Sequence, residues 1–266
     1  MLHVVTGRWE EAERALDGVD GVKGGQYIVG EIAVLRSQLA SYRGRYDDAY
    51  ELVAGNTDSA IRIGDQQAVL PNFAALAHAQ VGLGNDGEAV AALRRAIDRP
   101  GSADDGTLGA WFLFEAADLL TAARARTDGG KDPAAIATGV ELLATFASAL
   151  EPAVGIGGEA AVAAVREALF GAAVEQIAWL GGLLALSDGG RFPARAQALA
   201  TLDGHHRIFD AARIRLWLVE DVGDAAMRAD ARSTFEDLGA HPYLGRATSA
   251  AAIPRRSSES ADMGRR

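Results

Sequence analysis

One six-residue phrase, written twice, constrains this chain more than any other feature. Residues 5–16 read VTGRWEEAERAL and residues 42–53 read YRGRYDDAYELV. Both carry Gly-Arg-aromatic-acid-acid-Ala, with Gly7, Trp9 and Ala12 in one copy and Gly44, Tyr46 and Ala49 in the other. A weaker third copy, GNDGEAVAAL, keeps Gly84 and Ala89 and has Asp86 where the aromatic stood. Recurrence at steps of 37 and 40 positions is the mark of a chain built from one supersecondary unit used several times.

Each position of the phrase has a mechanical use. Before the second copy, EIAVLRSQLASYR places Ile32, Leu35, Leu39 and Tyr42 at steps of three and four, which is one apolar stripe on a helix. Gly44 can take a positive φ and end that helix at little steric cost. Asp47 and Asp48 suit the positive end of the helix that follows. Ala49 is small where two antiparallel helices come closest. The aromatic is expected to cover the open end of the pair, and its burial contributes roughly 1.5–3 kcal/mol. The phrase therefore reads as a helix–turn–helix corner; the alternative is a generic αα-hairpin that reuses good turn chemistry.

Further along, the phrase fades but helices continue. A helix is predicted over 107–125, with Trp111, Leu113, Phe114, Ala117 and Leu120 apolar. TDGGKD is a turn, and Pro133 fits the first turn of a helix running to about Leu150. GIGG breaks the chain. A long helix is predicted over 159–186, others over 193–202 and 207–220, and the last full helix ends at Leu238. Gly239 and Pro242 follow in the order that closes a helix. No segment reads as strand, so the fold class is all-α. The stretch SAAAIPRRSSESADMGRR lacks periodicity and reads as a disordered polar, basic tail from 249. Residues 1–248 are left as one helical repeat domain.

Composition removes several classes of function. The net charge is −10 and the isoelectric point about 5.0, whereas a nucleic-acid binder carries a basic face. Direct nucleic-acid binding is not expected. There is no cysteine, so disulfides, thiolate metal sites and cysteine nucleophiles are excluded. MLHVVTGRWEEAE has no basic region followed by an apolar core, so no secretory signal is read there. The most apolar run, IAWLGGLLAL at 177–186, is about half a bilayer span and reads as a buried helix. A cytoplasmic, membrane-free protein is expected. Lysine is confined to Lys23 and Lys131, with arginine supplying the other basic residues; with abundant Ala and Gly this points to a GC-rich bacterial genome.

The three corners resemble the tetratricopeptide repeat (TPR). That family places Gly, an aromatic two residues on and Ala three further on around the turn between its paired helices. Gly7/Trp9/Ala12 and Gly44/Tyr46/Ala49 match all three positions, while Gly84/Ala89 match two. The resemblance implies a right-handed α-solenoid of antiparallel helix pairs. AARIRLWLVEDVGD, RSTFEDLGAHPYLGRA and RTDGGKDPAAI are in addition similar to the C-terminal helical arrays of large bacterial signalling ATPases, among them LuxR-type, maltose-regulator-like activators and cyclase-linked proteins. In those proteins the DNA-binding end and the nucleotide-binding module carry the activities. Neither is recognisable here, so neither activity carries over. The resemblance implies a non-enzymatic protein–protein interaction scaffold or regulatory module that binds a protein or peptide partner. The alternative it implies is a small-effector sensor.

Catalytic constellations are not found. Gly130-Lys131 lacks the rest of a phosphate-binding loop, since Asp132 replaces Ser/Thr. There is no His-Glu-x-x-His and no Gly-x-Ser-x-Gly. His205-His206, with Asp203 and Asp210 nearby, reads as a solvated turn, and no metal or other cofactor is expected. The acid pairs Glu10/Glu11, Asp47/Asp48 and Asp104/Asp105 read as helix-start caps. Trp9, Trp111, Trp179 and Trp217 read as core. The first copy of the repeat is short of its first helix, because Met1 to Thr6 is too few residues. The chain is then a shortened relative or a fragment, and the apolar face around Val4, Val5 and Leu16 is expected to be under-covered. Upstream sequence or a homo-dimer through this truncated repeat would cover it.

Overall fold

The computed structural model describes Val4 and residues 6–19, 25–126, 132–155, 203, 207–222 and 224–249. The expected helices over 159–186 and 193–202, Val5, Trp179, His205, His206 and the tail after Ser249 lie outside these residues. Among the described residues the chain is all-helical. The helices are α1 (Trp9–Asp17), α2 (Gln26–Tyr42), α3 (Tyr46–Ala54), α4 (Thr57–Ile63), α5 (Gln66–Gly82) and α6 (Asp86–Ile97). They continue as α7 (Gly106–Ala125), α8 (Pro133–Gly155), α9 (Ile208–Val222), α10 (Ala225–Leu238) and α11 (His241–Ser249). None of them is long and apolar enough to cross a membrane.

Three hairpins, α2–α3, α5–α6 and α7–α8, follow one another. Their first helices pack side by side, α2 on α5 and α5 on α7. The short helix α4 fills against α2 and α5 and lies within the wider second step of the repeat. It was not foreseen, because seven residues carry too little periodicity to separate from a loop.

The corners share one geometry. Gly44 sits at φ 82° and Gly84 at φ 83°, where a Cβ would crowd the following carbonyl. At each, two backbone bonds close the helix. The Arg45 N–H donates to the Ala40 carbonyl at 2.8 Å and the Gly44 N–H to that of Ser41 at 3.0 Å. The Asn85 and Gly84 N–H groups repeat this onto Gln80 and Val81 at 2.9 and 3.0 Å. The same pair of bonds recurs at Gly239, where Ala240 reaches Phe235 at 2.8 Å. Pro242 does not end the helical region: it lies in the first turn of α11, where its missing N–H costs nothing. The sequence expectation of a last helix at Leu238 is corrected accordingly.

The first-turn acids of α1 and α3 act differently from expectation. Neither helix has a side-chain cap bond, so Glu10, Glu11, Asp47 and Asp48 act through charge alone. Asp105 does cap, accepting from the Leu108 N–H at 2.9 Å. Alanine serves close approach: Ala49, buried, packs with Ala40 and Ala79, and Ser37 donates to the Ala49 carbonyl at 2.8 Å.

The aromatic of the phrase bridges hairpins instead of covering its own. Trp9 stacks on Tyr42 at the end of α2, with ring centroids 5.8 Å apart and 24° between planes. Tyr46 lies across Gly82 at the end of α5, so close that a Cβ there would meet its ring at 2.0 Å. In the third copy the slot is polar. The buried Asp86 carboxylate takes the Arg126 guanidinium at the end of α7 and the Asp132 N–H at 2.8 Å.

Two buried clusters make up most of the core. One joins α5–α8 to Ile214 and Trp217 of α9. The other joins Val4, α1 and the end of α2 to α9–α11, through Trp9, Tyr42, Phe209, Phe235 and Tyr243. Phe209 sits 4.9 Å from Trp9, 4.8 Å from Tyr42 and 5.2 Å from Tyr243, centroid to centroid. Val4 and Leu16 are therefore buried, and the side of the first corner at Gly7 is covered by Ile208 and Leu238 of the same chain.

Candidate functional site

The second cluster encloses a set of charges that the sequence reading missed. Helix α7 is apolar along most of its length but carries Glu115 and Asp118 three residues apart, on one face. Both are buried, at 6% and 1% exposure. Arg213 of α9, 1% exposed, reaches both. Its Nε donates to Asp118 Oδ2 at 2.8 Å, and its two Nη atoms donate to the Glu115 oxygens at 2.8 and 3.1 Å. The guanidinium lies 4.4 Å above the Phe114 ring, with Tyr42, Phe209 and Tyr243 around it. A planar cation with five fixed donors is the side chain best suited to such a site.

The remaining oxygens are also occupied. Asp118 accepts from Trp217 Nε1 at 2.8 Å, Tyr243 OH at 2.8 Å and Arg246 Nη1 at 3.3 Å. Tyr42 OH donates to Glu115 Oε2 at 3.2 Å. Asp210 accepts from Arg207 Nε at 2.9 Å and from Arg213 at 3.4 Å. Asp203 pairs with Arg215 at 2.8 Å. The two acids near His205-His206 thus serve arginines, and among the described residues no group of acids and histidines could hold a metal.

The electrostatics follow from burial and neighbours. Burial pushes the Asp118 carboxyl up, but Arg213, Arg246 and the Tyr243 and Trp217 bonds overcome it and hold it well below the usual carboxylate range. Glu115 goes the other way: burial outweighs Arg213, which it shares with two other carboxylates, and its pKa is raised. Glu115 is thus a burial-shifted carboxylate, enclosed and ion-paired. Burial lifts both Tyr42 and Tyr243 well above their ordinary range. His78 of α5, edge-on to Tyr42 at 5.3 Å, is lowered to about 4 by burial and by the positive charges of Arg213 and Arg246.

The repeat-defining residues frame this cluster without joining its charges. Trp9 and Ala12 line the aromatic cluster, Ala49 and Ala89 lie in neighbouring packing, and Gly7, Gly44 and Gly84 hold the corners. Trp217 is core, as expected, and also a donor. The signal available beforehand was Glu115 and Asp118 on the stripe of an apolar helix; their partner 98 residues away carried none.

Two of the open grooves among the described residues lie beside the first corner. One, of 680 Å³, runs between α1, α2 and α3, with Glu13, Asp17, Arg36, Arg45, Asp48 and Glu51 on its walls. Glu13 pairs with Arg43 at 3.2 Å and Arg45 at 3.4 Å. The other lies between α1 and the start of α2 and is apolar. Comparison with protein-family models, with curated proteins and with solved structures returns no match.

Proposed function

We propose that this chain is a TPR-like interaction module, a right-handed α-solenoid of antiparallel pairs, serving as a non-enzymatic scaffold in a bacterial signalling or transcription-regulation system. Its inner face is the one built from the first helices α2, α5 and α7. The observation that carries the reading is the occupancy of that face. Tyr42 of α2 and Glu115 and Asp118 of α7 meet Arg213, Tyr243 and Arg246 from the chain's own C-terminal helices, and His78 of α5 lies edge-on to Tyr42 between them in the order of first helices. Stacked repeats use this face to bind partners. Here α9 and α11 fill it as a built-in ligand, and a protein partner that presents an arginine flanked by aromatics is the kind that competes.

The test compares full-length protein with a variant whose cluster is neutral, Arg213→Met with Glu115→Gln and Asp118→Asn. Each is used for capture from a bacterial lysate, beside a thermal-shift screen of sugars and metabolites. The scaffold reading expects one protein held in stoichiometric amount, with retention altered in the variant. A metabolite that stabilises the wild type by about 2.7 kcal/mol at a hundredfold excess over its Kd, with no protein retained, would overturn it.

The small-effector reading has one observation in its favour: the 680 Å³ groove is the size of a small-molecule site. Its walls are charged and several of those charges are already paired, whereas such sites are mostly apolar. The scaffold reading is therefore preferred.

A further inference from the structure

Helices α9 and α11 hold the inner face in different ways. Helix α9 brings Phe209, Asp210, Arg213 and Trp217 to it. Helix α11, nine residues long, brings one side of a single turn: Tyr243, Arg246 and Ala247, three and four positions apart. The Tyr243 hydroxyl and Arg246 Nη1 both donate to Asp118, at 2.8 and 3.3 Å. The Arg246 guanidinium lies 5.7 Å from the centre of the Tyr243 ring, so the two side chains approach Asp118 as one unit. The ring packs against Phe209, Phe235 and Tyr42, with centroids 5.2, 5.3 and 6.5 Å away. Ala247 is fully buried, and Pro242 rests beside Gly44.

Charge balance fixes which of the two helices can leave. Among the described residues Glu115, Asp118 and Asp210 face Arg207, Arg213 and Arg246 in one linked set of ion pairs. Taking α9 away would strip Glu115 of Arg213, and Asp118 of both Arg213 and Trp217. A buried charge left without its partner is strongly unfavourable. Taking α11 away leaves Asp118 the Arg213 Nε and the Trp217 Nε1, both at 2.8 Å. Glu115 keeps Arg213 and Tyr42, and Asp210 keeps Arg207. Gly239 and Ala240 alone separate α10 from α11. Gly239 sits at φ 66°, and a glycine can leave that conformation at little steric cost. Opened at this joint, the face carries one carboxylate more than its guanidiniums, beside the rings of Tyr42, Phe209 and Phe235.

We infer, resting on the interaction-module reading, that α11 is a displaceable latch and that the site beneath it takes a helix of a partner protein. That helix carries a tyrosine, an arginine three positions on and a small residue directly after the arginine. The arginine restores the charge balance at Asp118, and a planar guanidinium suits a carboxylate there. The tyrosine enters the ring cluster and gives its hydroxyl to the same carboxylate. The small residue lies where Ala247 is buried. Anchors at three- and four-residue spacing are how a helix is read in a groove. Helix α9 stays in place throughout, so the arginine that a partner replaces is Arg246 and not Arg213.

Native-state hydrogen exchange on the full-length chain is the first measurement. The amides of α11 are expected to exchange on the order of a hundredfold faster than those of α9, through a local opening that leaves α9 closed. Exchange of α11 and α9 as one unit would overturn the latch and leave the module reading intact, because lysate capture tests that reading whichever helix moves. The second measurement uses a labelled peptide of residues 240–249, AHPYLGRATS. It should bind full-length protein carrying Tyr243→Ala with Arg246→Ala about tenfold more tightly than wild type, whose tethered α11 competes at high effective concentration. A peptide with the Arg246→Ala change should bind that protein about tenfold more weakly than the unchanged peptide. Equal binding of the two peptides would take the arginine out of the recognition and overturn the inference. A double variant that fails to fold would overturn it as well, since a latch can be lost without the fold. So would a wild-type dimer in light scattering that Arg246→Ala abolishes, which gives the site to α11 of a second copy.

Discussion

The indole N–H of Trp217 reaches the Asp118 carboxylate at 2.8 Å across a sequence separation of 99. Asp118 thereby ties α9 to α7, and through Tyr243 and Arg246 it ties α11 to the same point. Removing one partner of such a buried set leaves an uncompensated charge, which costs about 3–5 kcal/mol. Arg213→Met alone is expected to destabilise by that amount in urea unfolding. Arg213→Met with Glu115→Gln and Asp118→Asn should recover most of it. If the triple variant is no more stable than the single one, the cluster holds the fold by something other than charge balance.

His78 makes stability depend on pH. Its folded pKa is about 4 against about 6.5 in an unfolded chain. Between these values the unfolded state binds the extra proton, so stability falls as pH drops from about 6.5 toward 4, by roughly 3 kcal/mol in all. Asp118, held below its ordinary range, loses stability in the same direction at still lower pH. Glu115, raised, acts oppositely just above the ordinary carboxylate value. His78→Phe keeps a ring beside Tyr42 and removes the titration. Its denaturation midpoint should be flatter than wild type from pH 7 to 5, and an unchanged slope would assign the dependence to another group.

Gly82 and Tyr46 form a coupled pair. Alanine for glycine in a helix ordinarily gains up to about 1 kcal/mol. Here the new Cβ meets the Tyr46 ring, and Gly82→Ala should cost about 1–3 kcal/mol, as overpacking does. In a Tyr46→Ala background the sign should reverse. A double-mutant cycle measures this directly, and additivity would mean the ring moves away freely.

Gly44→Val and Asp47→Ala separate corner mechanics from surface charge. The first places a β-branched residue at φ 82° and should cost about 1–3 kcal/mol. The second removes an exposed charge at a helix start, worth at most about 1 kcal/mol. Thermal melts of the two variants give the order, and the reverse order would make the acids, not the glycine, the reason the phrase recurs.

Much of this was legible because it is local. Gly44, Ala49 and the stripe of Ile32, Leu35 and Leu39 each act within a few residues, and periodicity reports such relations well. Helix α11 was missed because Pro242 allows two opposite readings, a stop or a first turn, and only the packing of Tyr243 and Ala247 decides. The role of Trp9 was half read. Its burial was expected, but its partner Tyr42 belongs to the next hairpin. For the charge cluster, Glu115 and Asp118 on an apolar stripe were a visible anomaly; that Arg213 answers them is a tertiary fact without a local trace.

The packing of Ile208 and Leu238 over Gly7 sets the order in which the molecule can be built. An array of independent repeats can nucleate anywhere and grow from neighbour to neighbour. In this chain the first corner closes only on residues more than about two hundred positions further along, Ile208 and Leu238. Trp9 and Tyr42 must wait for Phe209 and Tyr243, and contacts of such long sequence separation form slowly. A ribosome making this protein therefore holds an unfinished surface around Gly7, Trp9 and Tyr42 until Phe209, Leu238 and Tyr243 have emerged.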